Sequence, residues 1–65
     1  MKRLEQEREA RRWSKSELAR RARMANSTVG AIEAGRLSPY PSQLAKLSDA
    51  LGWQGEPAAL LEEVE

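Results

Sequence analysis

The sequence predicts an all-α fold of four to five short helices, and three observations predict it. Apolar side chains recur three or four residues apart in several segments, which is the spacing of one face of a helix. No segment alternates apolar and polar residues as a half-buried strand does. Residues typical of helix starts and stops separate the segments: Gly35, Pro41, Gly52 and Pro57. We therefore expect short helices packed around one small core.

The composition of the 65-residue chain limits the classes of function. Cysteine and histidine are both absent, which excludes disulfides, thiolate or imidazole metal sites, and the usual nucleophile and proton shuttle of hydrolases. We expect no enzyme, metal, cofactor or small-molecule substrate, because so small a core leaves no room for a large pocket. No apolar run resembles a signal peptide or a membrane span, so we expect a cytoplasmic protein without a membrane partner.

Charge is distributed unevenly along the chain. Residues 1–36 contain ten Lys or Arg against five Glu, a net charge of +5, whereas residues 37–65 contain one Lys against five acidic residues, a net charge of −4. This asymmetry favours a polyanion at one end of the chain and repels it at the other.

The first half predicts three helices. Good helix formers over residues 2–12 indicate a first helix, and Ser14 and Glu17 form a capping box that starts a second helix at Lys15. This second helix should end near Arg23. A third run has Val29 and Ile32 on one face and stops at Gly35.

The second half predicts two more helices. Pro41 is suited to the first turn of a helix that Gly52 closes, with a buried stripe of Leu44, Ala45, Leu47, Ala50 and Leu51. A proline followed by Leu60, Leu61 and Val64 predicts a C-terminal helix over residues 57–64. The expected core comprises Leu4, Leu18, Ala22, Val29, Ile32, Leu44, Leu47, Leu51 and Trp53.

Two short helices joined by a tight turn, here over residues 14–36, are a helix-turn-helix arrangement. The run SKSELARRARMANSTVGAIEAGR resembles the phage repressor and Cro family, also called XRE-like regulators, as does Pro39 followed by the helix ending Ala50-Leu51-Gly52. The resemblance covers roughly residues 4–53. It implies a lambda-repressor-like fold, and a length of 65 residues allows one domain at most, residues 1–65. The implied function is sequence-specific binding of double-stranded DNA and transcriptional regulation of prokaryotic or phage type, with repression expected and nucleoid association when bound.

The resemblance also implies roles for individual residues. Lys15, at the start of the first motif helix, and Arg36, just past the second, match positions that contact phosphates. Arg8 and Glu33 match a buried ion pair of the family. Tyr40 is a further candidate for a phosphate contact, because its hydroxyl follows the loop after Arg36.

The base-reading face follows from helical spacing. With Val29 and Ile32 buried, the opposite face of the helix consists of Asn26, Ser27, Gly30, Ala31 and Ala34. Asn can bond both N6 and N7 of adenine, Ser can serve several bases, and Ala can touch a thymine methyl group. The glycine favours close approach of the helix to the groove.

The sequence departs from the family pattern at several positions. Arg23 replaces a turn glycine whose backbone is left-handed, so either Arg23 tolerates that conformation or the turn differs. Ala25 replaces the usual Ser or Thr cap, and Asn26 offers a cap one residue later, which predicts a late helix start. Glu7 replaces an aliphatic residue of the first helix, so weaker packing is expected there. We expect Trp13 and Trp53 to pack at the core and its rim rather than to stack on bases.

The sequence also predicts a partner and leaves rival functions open. The apolar edge of Leu60, Leu61 and Val64 predicts a homodimer on DNA. The alternative function is a protein-interaction adaptor that kept the scaffold and lost DNA reading. The small, uncharged residues of the base-reading face favour this alternative, whereas the basic first half opposes it. An enzyme is a remote third, because Glu5, Glu9, Glu62 and Glu63 have the pattern of solvated faces.

Overall fold

A computed structural model describes all residues, 1–65. It contains four α-helices, α1 (Arg3–Ala10), α2 (Lys15–Ala22), α3 (Asn26–Glu33) and α4 (Pro41–Leu51), followed by a short 3₁₀-helix, Pro57–Leu61. The only strand-like pairing is one isolated bridge near the two ends of the chain. The prediction of an all-α fold is confirmed.

The core is a single cluster of ten buried apolar residues from every helix: Leu4, Leu18, Ala19, Ala22, Val29, Ile32, Leu44, Leu47, Leu51 and Leu60. Eight of the nine residues predicted for the core belong to it. The ninth, Trp53, is half-buried and packs against the cluster. Ala45, predicted for the stripe of α4, is exposed instead, because the buried face of that helix repeats at Leu44, Leu47, Ser48 and Leu51.

Residues next to helix α2 fix both of its ends. The Ser14 hydroxyl accepts a hydrogen bond from the Glu17 amide at 3.0 Å, which is half of the predicted capping box. The reciprocal half is absent, because the Glu17 carboxylate accepts from Arg20 and Arg21. At the other end Arg23 adopts the left-handed conformation, with φ 58° and ψ 48°. Arg23 therefore tolerates the conformation that the family usually assigns to glycine.

Helix α3 begins one residue earlier than its sequence predicts. Ala25 is the N-cap, although it offers no side-chain hydrogen bond, and Asn26 is already the first helical residue. The start is fixed by the backbone, since the Ala25 carbonyl accepts from the amides of Thr28 and Val29 at 3.1 and 3.2 Å. The helix stops as predicted at Gly35, whose φ of +79° suits a residue without a Cβ atom.

Helix α4 also follows its signals. Pro41 occupies its first turn, the Gln43 side chain accepts from the Tyr40 amide at 2.9 Å, and Gly52 ends it with φ +64°. None of the helices is both long and apolar enough to cross a membrane.

The predicted C-terminal helix over residues 57–64 is wrong in type and in extent. The chain forms only the 3₁₀-helix, because the backbone is extended at Glu62 and the following residues pair with the N-terminus. The Arg3 amide donates to the Glu62 carbonyl at 2.8 Å, and the Val64 amide donates to the Met1 carbonyl at 2.7 Å. Leu60 is fully buried in the core. Leu60 therefore cannot contribute to the predicted apolar edge, whereas Leu61 and Val64 are half-buried.

Candidate nucleic-acid interface

The start of α2 lies against the outer face of α3. A Cβ atom placed on Gly30 would lie 4.0 Å from Cδ of Lys15, so the aliphatic stem of the lysine passes over the glycine. One residue further along α2, the Ser16 hydroxyl accepts a hydrogen bond from Nδ2 of Asn26 at 2.8 Å. We call the patch formed by Lys15, Ser16, Asn26, Ser27 and Gly30 the α2–α3 surface.

The α2–α3 surface is open to solvent and rich in hydrogen-bonding groups. Lys15, Ser16, Asn26 and Ser27 are exposed, and Gly30 is half-buried. The bond to Ser16 uses one Nδ2 hydrogen of Asn26 and leaves the other hydrogen and Oδ1 unbonded within the chain. A free N–H beside a free oxygen is the pair that contacts N7 and N6 of adenine. The patch can therefore read a base edge with a side chain that is already oriented.

The backbone at the start of α3 adds donors to this surface. Because Ala25 supplies no side-chain cap, the amides of Asn26 and Ser27 have no acceptor within the chain. Unbonded amides at a helix N-terminus, together with the positive end of the helix dipole, favour a phosphate oxygen.

The remaining predicted DNA contacts lie outside the α2–α3 surface, and all of them except Ala31 are exposed. Arg36 and Tyr40 lie in the connection between α3 and α4, and the side chain of neither makes a hydrogen bond or ion pair with the chain. Tyr40 is 72% exposed. Ala31 is half-buried on α3, and Ala34 is exposed just past its end. No hydrogen bond or ion pair joins Arg36 or Tyr40 to the α2–α3 surface.

Arg8 and Glu33 form a buried ion pair, the two residues being 8% and 7% exposed. The guanidinium contacts the carboxylate twice, from Nε to Oε2 at 2.8 Å and from Nη2 to Oε1 at 3.2 Å. Its Nη1 also donates to the carbonyl of Trp13 at 2.7 Å. The hydrogen bond to Glu33 raises the pKa of Arg8 above its usual value. The pair ties α1 and the following loop to the end of α3, and so helps to fix the orientation of α3.

Sequence reasoning missed three further contacts around the motif, two of which join residues far apart in the chain. Arg11 donates to the Leu51 carbonyl at 2.6 Å, where it caps the end of α4, and it also bonds the Glu7 carboxylate at 2.9 Å. Glu7 stands where the family pattern has an aliphatic residue, and it forms an ion pair with Arg11. The side chain of Lys2 approaches the end of α3, with its Cε 3.9 Å from the Cβ position of Gly35. In the sequence, Lys2 was noted only as one of the basic residues of the first half, and nothing there predicted its contact with α3.

Both tryptophans pack within the chain, as predicted. Trp13 and Trp53 are half-buried against the core. The Arg21 guanidinium lies 4.3 Å from the centre of the Trp13 ring. Nε1 of Trp53 donates to the Glu56 carbonyl at 2.9 Å. Neither ring is therefore free to act as a stacking platform for bases.

Comparison with known protein families matched residues 2–61 to a family described as the helix-turn-helix domain. Searches of curated proteins and of solved structures each returned no match. The family match covers α1 to α4 and the 3₁₀-helix, and it agrees with the resemblance to the phage repressor and Cro family. This chain belongs to the helix-turn-helix domain family.

Proposed function

We propose that this protein binds double-stranded DNA in a sequence-specific manner and regulates transcription, with repression as the expected effect. The observation that carries the proposal is the α2–α3 surface, where the Lys15 stem lies over Gly30 and Asn26 is held by Ser16. In a helix-turn-helix protein the second motif helix, here α3, lies in the major groove. A cation suited to phosphate and an amide suited to a base edge would then meet the same duplex.

Each contact has a distinct task in this proposal. Lys15 and Arg36 contact phosphates, with the Tyr40 hydroxyl as an additional donor, and these contacts set the position of the protein without reading sequence. Asn26 and Ser27 read base edges, and Ala31 is available to a thymine methyl group. Gly30 has no side chain, so the Lys15 stem can lie close to α3 and carry its cation toward the same duplex.

Ser16 acts through Asn26 in this scheme. The amide of an exposed Asn samples several rotamers, and ordering it on binding costs free energy. The 2.8 Å bond to Ser16 orders the amide before DNA arrives. Ser16 is thus a positioning residue that lowers the entropic cost of reading a base.

We also propose that two copies bind one operator. On a single α2–α3 surface, only Asn26 and Ser27 can read bases by hydrogen bonds. Two such side chains provide few base contacts for a specific site. Two copies related by a two-fold axis would read half-sites about one helical turn, roughly 34 Å, apart. Sedimentation of the saturated complex tests this, and a one-to-one complex on the selected site would exclude the dimer. The contact between copies would have to lie elsewhere than at Leu60, which is fully buried.

Selection from a pool of random duplexes tests the function itself. We expect an enriched sequence motif with the wild-type chain, and weaker retention of every duplex with a Lys15→Gln, Arg36→Gln double variant, because phosphate contacts do not read sequence. Lys46→Gln removes an exposed cation from α4 instead and should preserve both the motif and the retention. Uniformly weak retention of all duplexes by the wild-type chain would contradict the proposal and favour the adaptor function.

A further inference from the structure

The structure has one surface cleft, and the proposed DNA contacts do not use it. The cleft lies between the end of α2 and the second half of α4 and has a volume of about 250 Å³. Its lining residues are Arg21, Ala22, Arg23, Lys46, Asp49 and Ala50. It therefore presents three cations, one carboxylate and two small apolar residues in one concave site.

Two of the three cations are not used by the fold. Arg21 is occupied, because its Nε donates to the Glu17 carboxylate at 2.6 Å and its guanidinium stacks on Trp13. The side chains of Arg23 and Lys46 make no hydrogen bond or ion pair within the chain. Both are exposed, so both remain available to a ligand.

The backbone at Arg23 turns at the edge of the same cleft. Its φ of 58° is a conformation that a glycine adopts at lower cost than any residue with a side chain. This conformation closes α2, so its first cause is the end of the helix. Arg12 shares the conformation, with φ 59°, but does not line the cleft, so strain alone does not mark the site. At Arg23 the strain coincides with a cleft and an unpaired charge.

We propose that this cleft binds an acidic segment of a partner protein, with a partner carboxylate held between Arg23 and Lys46. Asp49 disfavours a polyphosphate, because its negative charge lies in the same cleft, but it can accept a backbone N–H from a peptide. The half-buried Ala50 offers contact to a small apolar side chain. The volume is below that of typical small-molecule pockets and suits one or two side chains.

The position of the cleft allows the partner and DNA to bind together. Lys15, on the α2–α3 surface, is at the first turn of α2, and the cleft is at its last turn. Seven residues of helix separate the two places by roughly 10 Å along the axis. A regulator bound to DNA would thus keep this site open to another protein.

Selection of random heptapeptides displayed on phage against the whole chain tests the proposal, followed by affinity measurements with the enriched peptides as synthetic probes. We expect the enriched peptides to carry Asp or Glu, and their binding to fall about tenfold or more in Arg23→Gly and in Lys46→Gln. Arg12→Gly is the matched control, since it removes a cation from the same backbone conformation outside the cleft, and it should leave the affinity unchanged. Glycine suits the left-handed conformation, so Arg23→Gly should fold.

Amide chemical shifts give the location independently of affinity. The enriched peptides should shift the amides of Ala22, Asp49 and Ala50, and replacing the peptide carboxylate by its amide should abolish the shifts. Enrichment without acidic residues, or unchanged binding in Arg23→Gly, would overturn the proposal. So would shifts of the same amides by inorganic pyrophosphate at equal affinity, which would indicate a general anion site, or by duplex DNA, which would place the cleft in the DNA contact.

Discussion

Arg8 is the residue on which the geometry of α3 most depends. Its guanidinium is buried and satisfied on both sides, by the Glu33 carboxylate and by the Trp13 carbonyl. A buried ion pair adds little to stability compared with apolar residues of similar volume, but removing one partner leaves the other charge uncompensated. Arg8 therefore matters chiefly because Glu33 is present.

Replacing Arg8 with Ala should destabilise the fold by roughly 3 kcal/mol or more, because Glu33 would remain charged in a site that excludes water. The midpoint of urea denaturation measures this loss. Glu5→Ala, on the same helix and without an ion pair, is the control. A loss equal to that of the control would show that the pair contributes nothing.

A double variant separates charge burial from packing. Arg8→Leu combined with Glu33→Leu removes both charges, so it should be more stable than Arg8→Leu alone. If the double variant is instead the less stable of the two, the stranded carboxylate is not the cause of the loss.

At the scale of the helices, boundaries set by local chemistry were predictable from the sequence. Ser14 starts α2, Pro41 occupies the first turn of α4, and Gly35 and Gly52 stop α3 and α4 where their positive φ angles fit. The prediction failed where the backbone alone made the boundary. Ala25 starts α3 without a side-chain bond, and Asn26, the residue that resembles a cap, bonds Ser16 on another helix instead.

The missing cap of α3 predicts a stabilising substitution. Ala25→Ser would place a hydroxyl where it can accept from an unbonded amide of the first turn, so the free energy of unfolding should rise by about 1 kcal/mol. Ala45→Ser adds the same hydroxyl to an exposed position within α4, where it should lower stability slightly. Equal effects of the two substitutions on the urea midpoint would argue against capping.

The candidate site was predictable only in part, for a similar reason. Helical spacing was enough to identify Asn26, Ser27 and Gly30 as members of one exposed face. The contacts of Lys15 with Gly30 and of Ser16 with Asn26 depend on how α2 crosses α3, which no local pattern encodes. The cleft beside Arg23 requires α2 and α4 to be placed together, so no motif announced it.

At the scale of the whole molecule, the two ends of the chain are joined. The acidic C-terminal segment lies against the basic N-terminal segment. Oε2 of Glu63 is 2.8 Å from Nζ of Lys2, and Oε1 of Glu62 is 3.9 Å from Nε of Arg3. The opposite charges of the two halves are thus partly paired in the fold. Lys2 and Arg3 are consequently paired with carboxylates of the same chain.

This pairing predicts a dependence of stability on pH. The hydrogen bond from Lys2 lowers the pKa of Glu63 below its usual value of 4.5. A lowered carboxyl pKa contributes stability that is fully present above the usual value and is lost as the pH falls through the folded-state value. Glu63→Gln should therefore lower the thermal midpoint at about pH 7 and have little effect at about pH 2.

The control for this experiment is Glu65→Gln, because Glu65 is exposed and has no ion pair. Its midpoint should match that of the wild-type chain at both values of pH. If Glu63→Gln lowers the thermal midpoint as much in acid as at neutral pH, the side chain acts by packing, and the proposed dependence of stability on the charge of Glu63 is wrong.

In the proposed mode of binding, the α2–α3 surface holds DNA through Lys15 and reads its sequence through Asn26. The most direct test measures the affinities of Lys15→Ala and Asn26→Ala for a selected duplex and for its scrambled counterpart, each at two salt concentrations. Lys15→Ala should weaken both duplexes alike and reduce the log-log salt slope by about one. Asn26→Ala should cost about 1 to 3 kcal/mol on the selected duplex and almost nothing on the scrambled one. An unchanged salt slope in Lys15→Ala, together with equal losses on both duplexes in Asn26→Ala, would contradict the proposed mode of DNA binding.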